Sequence, residues 1–137
     1  MSRQAILAAN EAFYEAFAQR DLEAMDLVWA EQAPVACIHP GWDVLLGREQ
    51  VMAAWDAILS SPSAPKIVCS HESIHVCGDA AYVVCRETAG EGTLIATNLF
   101  VLENGRWRLA HHQAGPLAET DDEEDDEDSD GEPTLLN

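Results

Sequence analysis

The stretch "GTLIATNLFVLENGRWRLAHHQAG", residues 92–115, alternates in character residue by residue on both sides of Asn104-Gly105. A period of two marks a half-buried β-strand, and Asn-Gly is a turn pair of two-residue hairpins. Moving towards the N-terminus, "AAYVVCRETAG" (80–90) and "KIVCSHESIHVCG" (66–78) repeat the pattern. Gly78-Asp79 links that pair, and a Gly-Glu-Gly turn at 90–92 leads into the next strand. Four long consecutive strands joined by tight turns predict an antiparallel meander.

Upstream of Lys66 the period lengthens. Residues 3–19 place Ile6, Leu7, Phe13 and Phe17 at helical spacing, with Arg3, Gln4, Glu11 and Glu15 elsewhere on the wheel and Ser2 as the expected N-cap. "DLEAMDLVWA" (21–30) reads as a second helix capped by Asp21, with Leu22, Met25, Val28 and Trp29 on one side. "PVACIHP" (34–40) is a short strand closed by Pro40-Gly41, and "DVLLG" (43–47) is its return strand. Gly47 opens a third helix with Val51, Met52, Trp55, Ile58 and Leu59 on one face, ending before Pro62. Three helices followed by a meander is an α+β order. A long bent sheet would curl around the helices as a cone with an apolar interior.

The chain has 137 residues, of which 47 % are hydrophobic, and a net charge of -18. Eleven of its 25 acidic residues lie in Glu119–Glu132, so residues 1–118 carry only about -7. We expect one domain over 1–118 and a disordered acidic tail over 119–137, whose like charges repel and bury nothing. Seven scattered bases supply no phosphate-neutralising patch, so nucleic acid is not an expected partner. No apolar run approaches 18 residues, and the N-terminus shows no signal-peptide pattern, so a cytoplasmic, membrane-free protein is expected. Cys37, Cys69, Cys77 and Cys85 form no CxxC and read as reduced, buried thiols. His71 and His75 are spaced HxxxH, but on a strand they lie about 13 Å apart, so no metal site is expected. No cofactor is expected either.

The order "RDLEAMDLVWA", "CIHPGWDVLLGREQVMAAW", "GRWRLAHHQAG" resembles the nuclear transport factor 2-like superfamily, and more closely its bacterial SnoaL-like branch. The likeness covers residues 3–117. It implies a cone of three N-terminal helices on a curved antiparallel sheet, dimerising through the outer sheet face. Such cones host isomerases, cyclases and dehydratases as well as non-catalytic assembly domains, so the fold alone does not decide function. Where ketosteroid isomerases of this fold carry a basic Asp before Pro, this chain has His39. Their helical Tyr position falls on Phe13, with Tyr14 one residue along, and their second acid falls near Asn98. That set is not intact, and steroid isomerisation is not expected. The last strand also resembles the association domain of calcium/calmodulin-dependent kinase II, with Trp107 and His111-x-Gln113 in place of its Trp…His-x-His.

Simple alternation puts Trp107, Leu109, His111 and Gln113 on one face, and Leu94, Ala96, Asn98, Phe100 and Leu102 on one face of the preceding strand. His111, Gln113 and Asn98 are then expected as a polar patch in the cone, with His39 and Trp42 at its rim. The reading is a small, mostly apolar ligand in a homodimeric cone. His39 is the base, with His111 or Asn98 polarising the substrate, in cofactor-free proton abstraction, dehydration or cyclisation. Trp29, Trp42, Trp55, Tyr14 and Gln113 are the expected ligand-binding residues. The competing reading is a non-catalytic dimerisation, assembly or interaction domain, its cone filled by its own aromatic side chains.

Overall fold

The structure is a computed structural model and describes residues 2–118. The acidic tail expected over 119–137 lies outside the described residues. In chain order the elements are α1 (Ser2–Ala18), α2 (Leu22–Val28), β1 (Ala36–Ile38), β2 (Leu45–Leu46), α3 (Gly47–Ser60), β3 (Ile67–Cys77), β4 (Ala80–Ala89), β5 (Gly92–Glu103) and β6 (Arg106–Pro116). The fold is α+β, as the periodicities predict. Its six strands run in the order β2-β1-β6-β5-β4-β3. β3 to β6 form the antiparallel meander, whereas β1 runs parallel to β6, so the sheet is mixed.

Local chemistry sets the boundaries. Ser2 is the first helical residue and not the cap before it. α1 ends where Arg20 takes a left-handed conformation (φ 55°), after which Asp21 caps α2 by accepting from the Ala24 N–H at 3.1 Å. At His39-Pro40-Gly41-Trp42 the Trp42 N–H donates to the His39 carbonyl at 2.9 Å. Gly41 holds φ 82° there, the third-residue conformation of a type II turn that side chains resist. The Asn104-Gly105 turn has φ 50° and 78°, the positive pair that a tight hairpin needs.

The core lies between the helices and the concave face of the sheet. Phe13, Trp29, Trp55, Phe100, Ile6, Met25, Leu109, Val51 and Val83 are fully enclosed there. α2 is tied to the sheet by the bridge Trp29–Leu109 and the bond from the Ala30 N–H to the Leu109 carbonyl. Arg48 at the start of α3 donates to the carbonyls of Asp26, Trp29 and Ala30, tying α3 to the end of α2.

Two β-bulges decide what faces inward. Leu99 pairs with His111 but Phe100 pairs with Leu109, leaving Ala110 as an extra residue in β6. Between Ser70↔Arg86 and Ser73↔Val84, β3 advances three residues for two on β4. Each insertion reverses the facing of the residues beyond it.

Candidate functional site

The concave face of the sheet would be apolar but for a few residues. Asn98 of β5 is buried on it, as alternation predicts. The Ala110 bulge alters its partners. Because that insertion offsets the alternation, Leu109 and His112 both point inward, while His111 and Gln113 do not share the face of Leu109. His112 is buried and lies opposite Asn98. His111 is half-buried, its Nδ1 bonded to the Ala36 carbonyl at 3.0 Å, and Gln113 is exposed. The expected convergence of His111 and Gln113 with Asn98 is therefore corrected: His112 takes that place.

Around Asn98 the hydrogen bonds have a definite direction. Its Nδ2 donates to Asn10 Oδ1 at 2.9 Å and to Tyr14 Oη at 3.0 Å. Its Oδ1 is left to accept, and His112 Nδ1 lies 2.6 Å away. His112 is therefore the Nδ1–H tautomer, with a bare lone pair on Nε2. Burial, then the neighbouring His39 and His111, pushes its pKa down to about 3. Tyr14 Oη lies 2.6 Å from Glu87 Oε2 and 3.4 Å from Cys85 Sγ. His112 Nε2 stands 3.9 Å from the same Glu87 oxygen.

Glu87 is buried, and among the described residues no lysine or arginine pairs with it. Burial raises its pKa, against the Tyr14 hydrogen bond that lowers it. Asn10, Tyr14, Glu87, Asn98 and His112 thus form one connected polar cluster drawn from α1, β4, β5 and β6. Tyr14 enters the cone alongside Phe13 because the apolar stripe of α1 is wide enough to bury both, their rings meeting edge-on at 4.7 Å.

His39 stands at the end of β1. Its ring packs edge-on against Trp42 at 4.9 Å and Trp55 at 4.8 Å, with the His112 ring centre 6.2 Å away. Cys37 Sγ lies 3.6 Å from His39 Nε2. Burial pushes His39 down to about 4 and the Cys37 thiol up to about 12, so both are neutral near pH 7. Trp55 and Trp29 are enclosed, and the indole Nε1 of each is buried without a hydrogen-bond partner. Trp42 is half-exposed at the rim. The structure thus brings His39, Trp42, Trp55, Tyr14 and Asn98 towards one interior, sets Trp29 against β6, and leaves His111 and Gln113 outside the cluster.

Asn10, Glu87 and His112 were absent from the sequence-based set. For Glu87 a signal exists: Ala81, Val83, Cys85 and Glu87 share one alternating face, so an acid ends an otherwise apolar row. Asn10 lies one helical turn from both Ile6 and Tyr14 on the buried stripe. Of the four cysteines, all free thiols, Cys37 and Cys85 are buried, Cys69 is half-buried and Cys77 is exposed, which corrects the expectation that all four are enclosed. Among the described residues no three His, Cys, Asp or Glu side chains group as metal ligands.

A three-helix cone on a strongly bulged sheet, with its polar groups gathered on the concave face, defines the nuclear transport factor 2-like class. A family model described as the SnoaL-like domain matches residues 6–119, and the chain belongs to that family. Its structure is similar to that of a protein from Streptomyces avermitilis named as a dehydratase of the NTF2-like family. The two are 30 % identical, covering 85 % of this chain and 96 % of the other, with a TM-score of 0.77. It is also similar to a protein from Thiobacillus denitrificans named as a calcium/calmodulin-dependent protein kinase type II association domain. That pair is 34 % identical over 81 % of this chain and 94 % of the other, with a TM-score of 0.69. Among curated proteins, the F-box protein SKIP8 of Arabidopsis thaliana is 25 % identical over 116 residues, 83 % of this chain. The chain spans about half the length of that plant protein.

Proposed function

We propose that the cone binds a small, mostly apolar organic molecule bearing a carbonyl or hydroxyl oxygen and performs cofactor-free acid–base chemistry on it. The observation that carries this reading is the buried cluster of Asn10, Tyr14, Glu87, Asn98 and His112 with a second neutral imidazole, His39, 6.2 Å from the His112 ring among enclosed aromatic side chains. Buried polar groups cost stability unless they are paired, and this cluster pairs them in a chain that begins and ends on titratable groups.

In this reading His39 is the base and takes a proton from carbon; the protons of Tyr14, Asn98 and His112 are held inside the cluster, so the donor left for the ligand oxygen is the buried, unpartnered Trp55 indole N–H. Because burial holds His39 near 4, a proton on it is stabilised only when negative charge develops nearby. An enolate formed on a ligand bound beside His39 would supply that charge, so the imidazolium is favoured in the transition state and not in the free protein. The Trp55 indole N–H, buried and unpaired beside His39, adds a donor to that interior. The likeness to a protein named as a dehydratase is consistent with this chemistry.

The test is solvent-deuterium incorporation into a panel of cyclic enones and β-hydroxy ketones, read together with thermal stabilisation by the same compounds. His39→Ala should abolish both while retaining the far-ultraviolet circular dichroism of the parent. Unchanged incorporation and unchanged thermal response in that variant would overturn the role of His39.

A second reading has its own observation. Phe13, Trp29, Trp55 and Phe100 fill much of the interior, and the chain is 34 % identical to a protein named as a calcium/calmodulin-dependent protein kinase type II association domain. Under that reading the cluster serves only to fix the packing, and no member of the panel shifts the melting temperature. Homodimerisation through the outer sheet face belongs to both readings. That face presents Tyr82, Val84, Ile95 and Leu99, with Tyr82 and Ile95 openly exposed.

A further inference from the structure

We propose that mild acid opens the homodimer, through His75 and His111 in the central row of its sheet interface. The inference rests on the dimer reading above and adds to it what controls assembly.

One residue from every strand stands in that row. Cross-strand pairing runs His75–Tyr82–Leu99–His111–Ala36–Leu46, from one edge of the sheet to the other on the face opposite the core. Both imidazoles are held by the face itself. His75 lies stacked on Tyr82 at 4.7 Å, with Ser73 Oγ 2.7 Å from its Nε2. His111 Nδ1 donates to the Ala36 carbonyl at 3.0 Å, so in the neutral ring Nε2 is bare.

Charge makes this face the one on which a second copy fits. Residues 1–118 contain 14 acids, and none of them stands in the paired rows of this side. The three carboxyls that lie in strands are engaged elsewhere. Glu72 meets the Cys69 sulfur, Glu87 meets Tyr14 in the interior, and Glu103 accepts from the backbone N–H groups of Glu31, Gln32 and Ala33. A chain of net charge -18 repels its own kind over most of its surface, but here two copies meet without carboxylate facing carboxylate. Tyr82, Ile95 and Val68 are exposed on the same face and supply apolar area.

The lack of acids that permits the contact also makes it sensitive to protons. In a two-fold contact each residue of the row occurs once in either protomer, so four imidazoles share the interface. Imidazole is the side chain whose charge changes in the range around pH 5 to 8. A neutral ring is tolerated in a dehydrated contact, whereas an imidazolium there needs a carboxylate to pair with it. The titratable and charged groups around the two rings are Cys77 and Tyr82 beside His75, and Arg86 and Arg108 in neighbouring rows. Behind His111 lies His112, held neutral by burial. No carboxylate is among them. Protons therefore bind the separated protomers more tightly than the dimer, and dissociation increases as pH falls. Protonation also lowers the net negative charge, which favours association. That repulsion between distant surface charges is screened over about 8 Å at physiological salt, while desolvation inside the contact is not, so the local cost decides.

Sedimentation velocity of the full chain over a dilution series, at pH 7.5 and pH 5.5 in physiological salt, tests the switch. Each imidazole that must shed its proton weakens association about tenfold per pH unit below its titration point, so two of the four suffice for about a hundredfold. The dissociation constant should rise at least that much at pH 5.5 and recover on return, with the far-ultraviolet circular dichroism unchanged. His75→Gln combined with His111→Gln should hold it within about threefold. Dilution calorimetry of the parent at pH 6, in buffers of different ionisation enthalpy, counts protons directly and keeps the test open should the double variant fail to associate. Uptake of about one proton or more per dimer separated is expected. A parental constant that moves less than about threefold between the two pH values, dissociation without proton uptake, or a double variant as acid-sensitive as the parent would overturn the switch. A dimer at both pH values removes the switch and leaves the interface standing, whereas a monomer at pH 7.5 at every concentration removes both.

Discussion

Replacing Tyr14 with Phe removes one oxygen from the most densely bonded point of the interior. That oxygen is 2.6 Å from Glu87, accepts from Asn98 at 3.0 Å, and touches Cys85 at 3.4 Å. The phenyl ring still fits against Phe13, so the transfer and cavity contributions stay small. What is lost is one hydrogen bond to a carboxyl, while one amide proton of Asn98 and the Glu87 oxygen are left without their partner. A bond to an ionisable group contributes about 1.5–3 kcal/mol, and an orphaned buried group costs about as much as a lost bond. Relaxation of the cluster recovers part of this, giving an expected destabilisation of about 2–3 kcal/mol. At roughly 4 °C per kcal/mol for a domain of this size, the midpoint falls by about 8–12 °C. Urea unfolding followed by circular dichroism and by tryptophan fluorescence measures it, coincident transitions establishing two-state behaviour. Glu87→Gln completes a double-mutant cycle in which the coupling should reach about 1–2 kcal/mol. A Tyr14→Phe loss under about 0.5 kcal/mol, or strict additivity with Glu87→Gln, would refute the connected cluster.

Stability should also depend on pH through the two buried imidazoles. His39 titrates near 4 and His112 near 3 in the fold, below the ordinary value of about 6.5. On these two residues the unfolded chain therefore binds more protons between those values, so the imidazoles make stability rise with pH from about 4 to about 6.5, while Glu87, raised by burial, contributes in the opposite sense. His39 alone accounts for about 3 kcal/mol of that rise, and His39→Gln should flatten the acid limb in denaturant titrations at stepped pH. An acid limb equally steep in the variant would contradict it. At the outer sheet face, Leu99→Glu should abolish the proposed dimer, leaving a monomer by light scattering, because the residue lies between Tyr82 and His111 in the row across the sheet. A parent protein that is monomeric at micromolar concentration would remove the proposed interface.

Much of the architecture is legible in the sequence because it rests on local signals. The change of period at Lys66, the Asp21 cap, the Pro40-Gly41 turn and the Asn104-Gly105 hairpin are all readable without tertiary information. Asn98 follows from alternation alone. His112 does not, since an adjacent pair of histidines gives no sign of which faces inward once Ala110 is inserted, and the bulge is set by pairing with β5 and not by composition. The parallel contact between β1 and β6 is non-local in the same way: nothing near Ala36 names His111 as its partner. Tyr14 and Glu87 both lie on faces that their own periodicity marks as buried, but only the fold brings them together, from α1 and β4.

The position of β6 has a further consequence for how the molecule comes into being. Among the described residues it is the last strand made, yet it sits third in the sheet, joining the meander to β1 and receiving Trp29 at Leu109. During synthesis the N-terminal helices and the β1–β2 hairpin emerge first, with Phe13, Trp29 and Trp55 lacking the surface that will cover them. Phe13 and Trp55 can pack on one another and α1 on β3 beforehand, but their cover is complete only when residues 106–116 arrive. Joining ends so distant in sequence is slow compared with closing a hairpin. The nascent chain therefore passes through a stage rich in exposed aromatic surface, the kind of stage at which chaperones engage and aggregation competes with folding. A substitution that merely delays β6, such as loss of the Asn104-Gly105 turn, should lower the yield of folded protein more than its equilibrium stability.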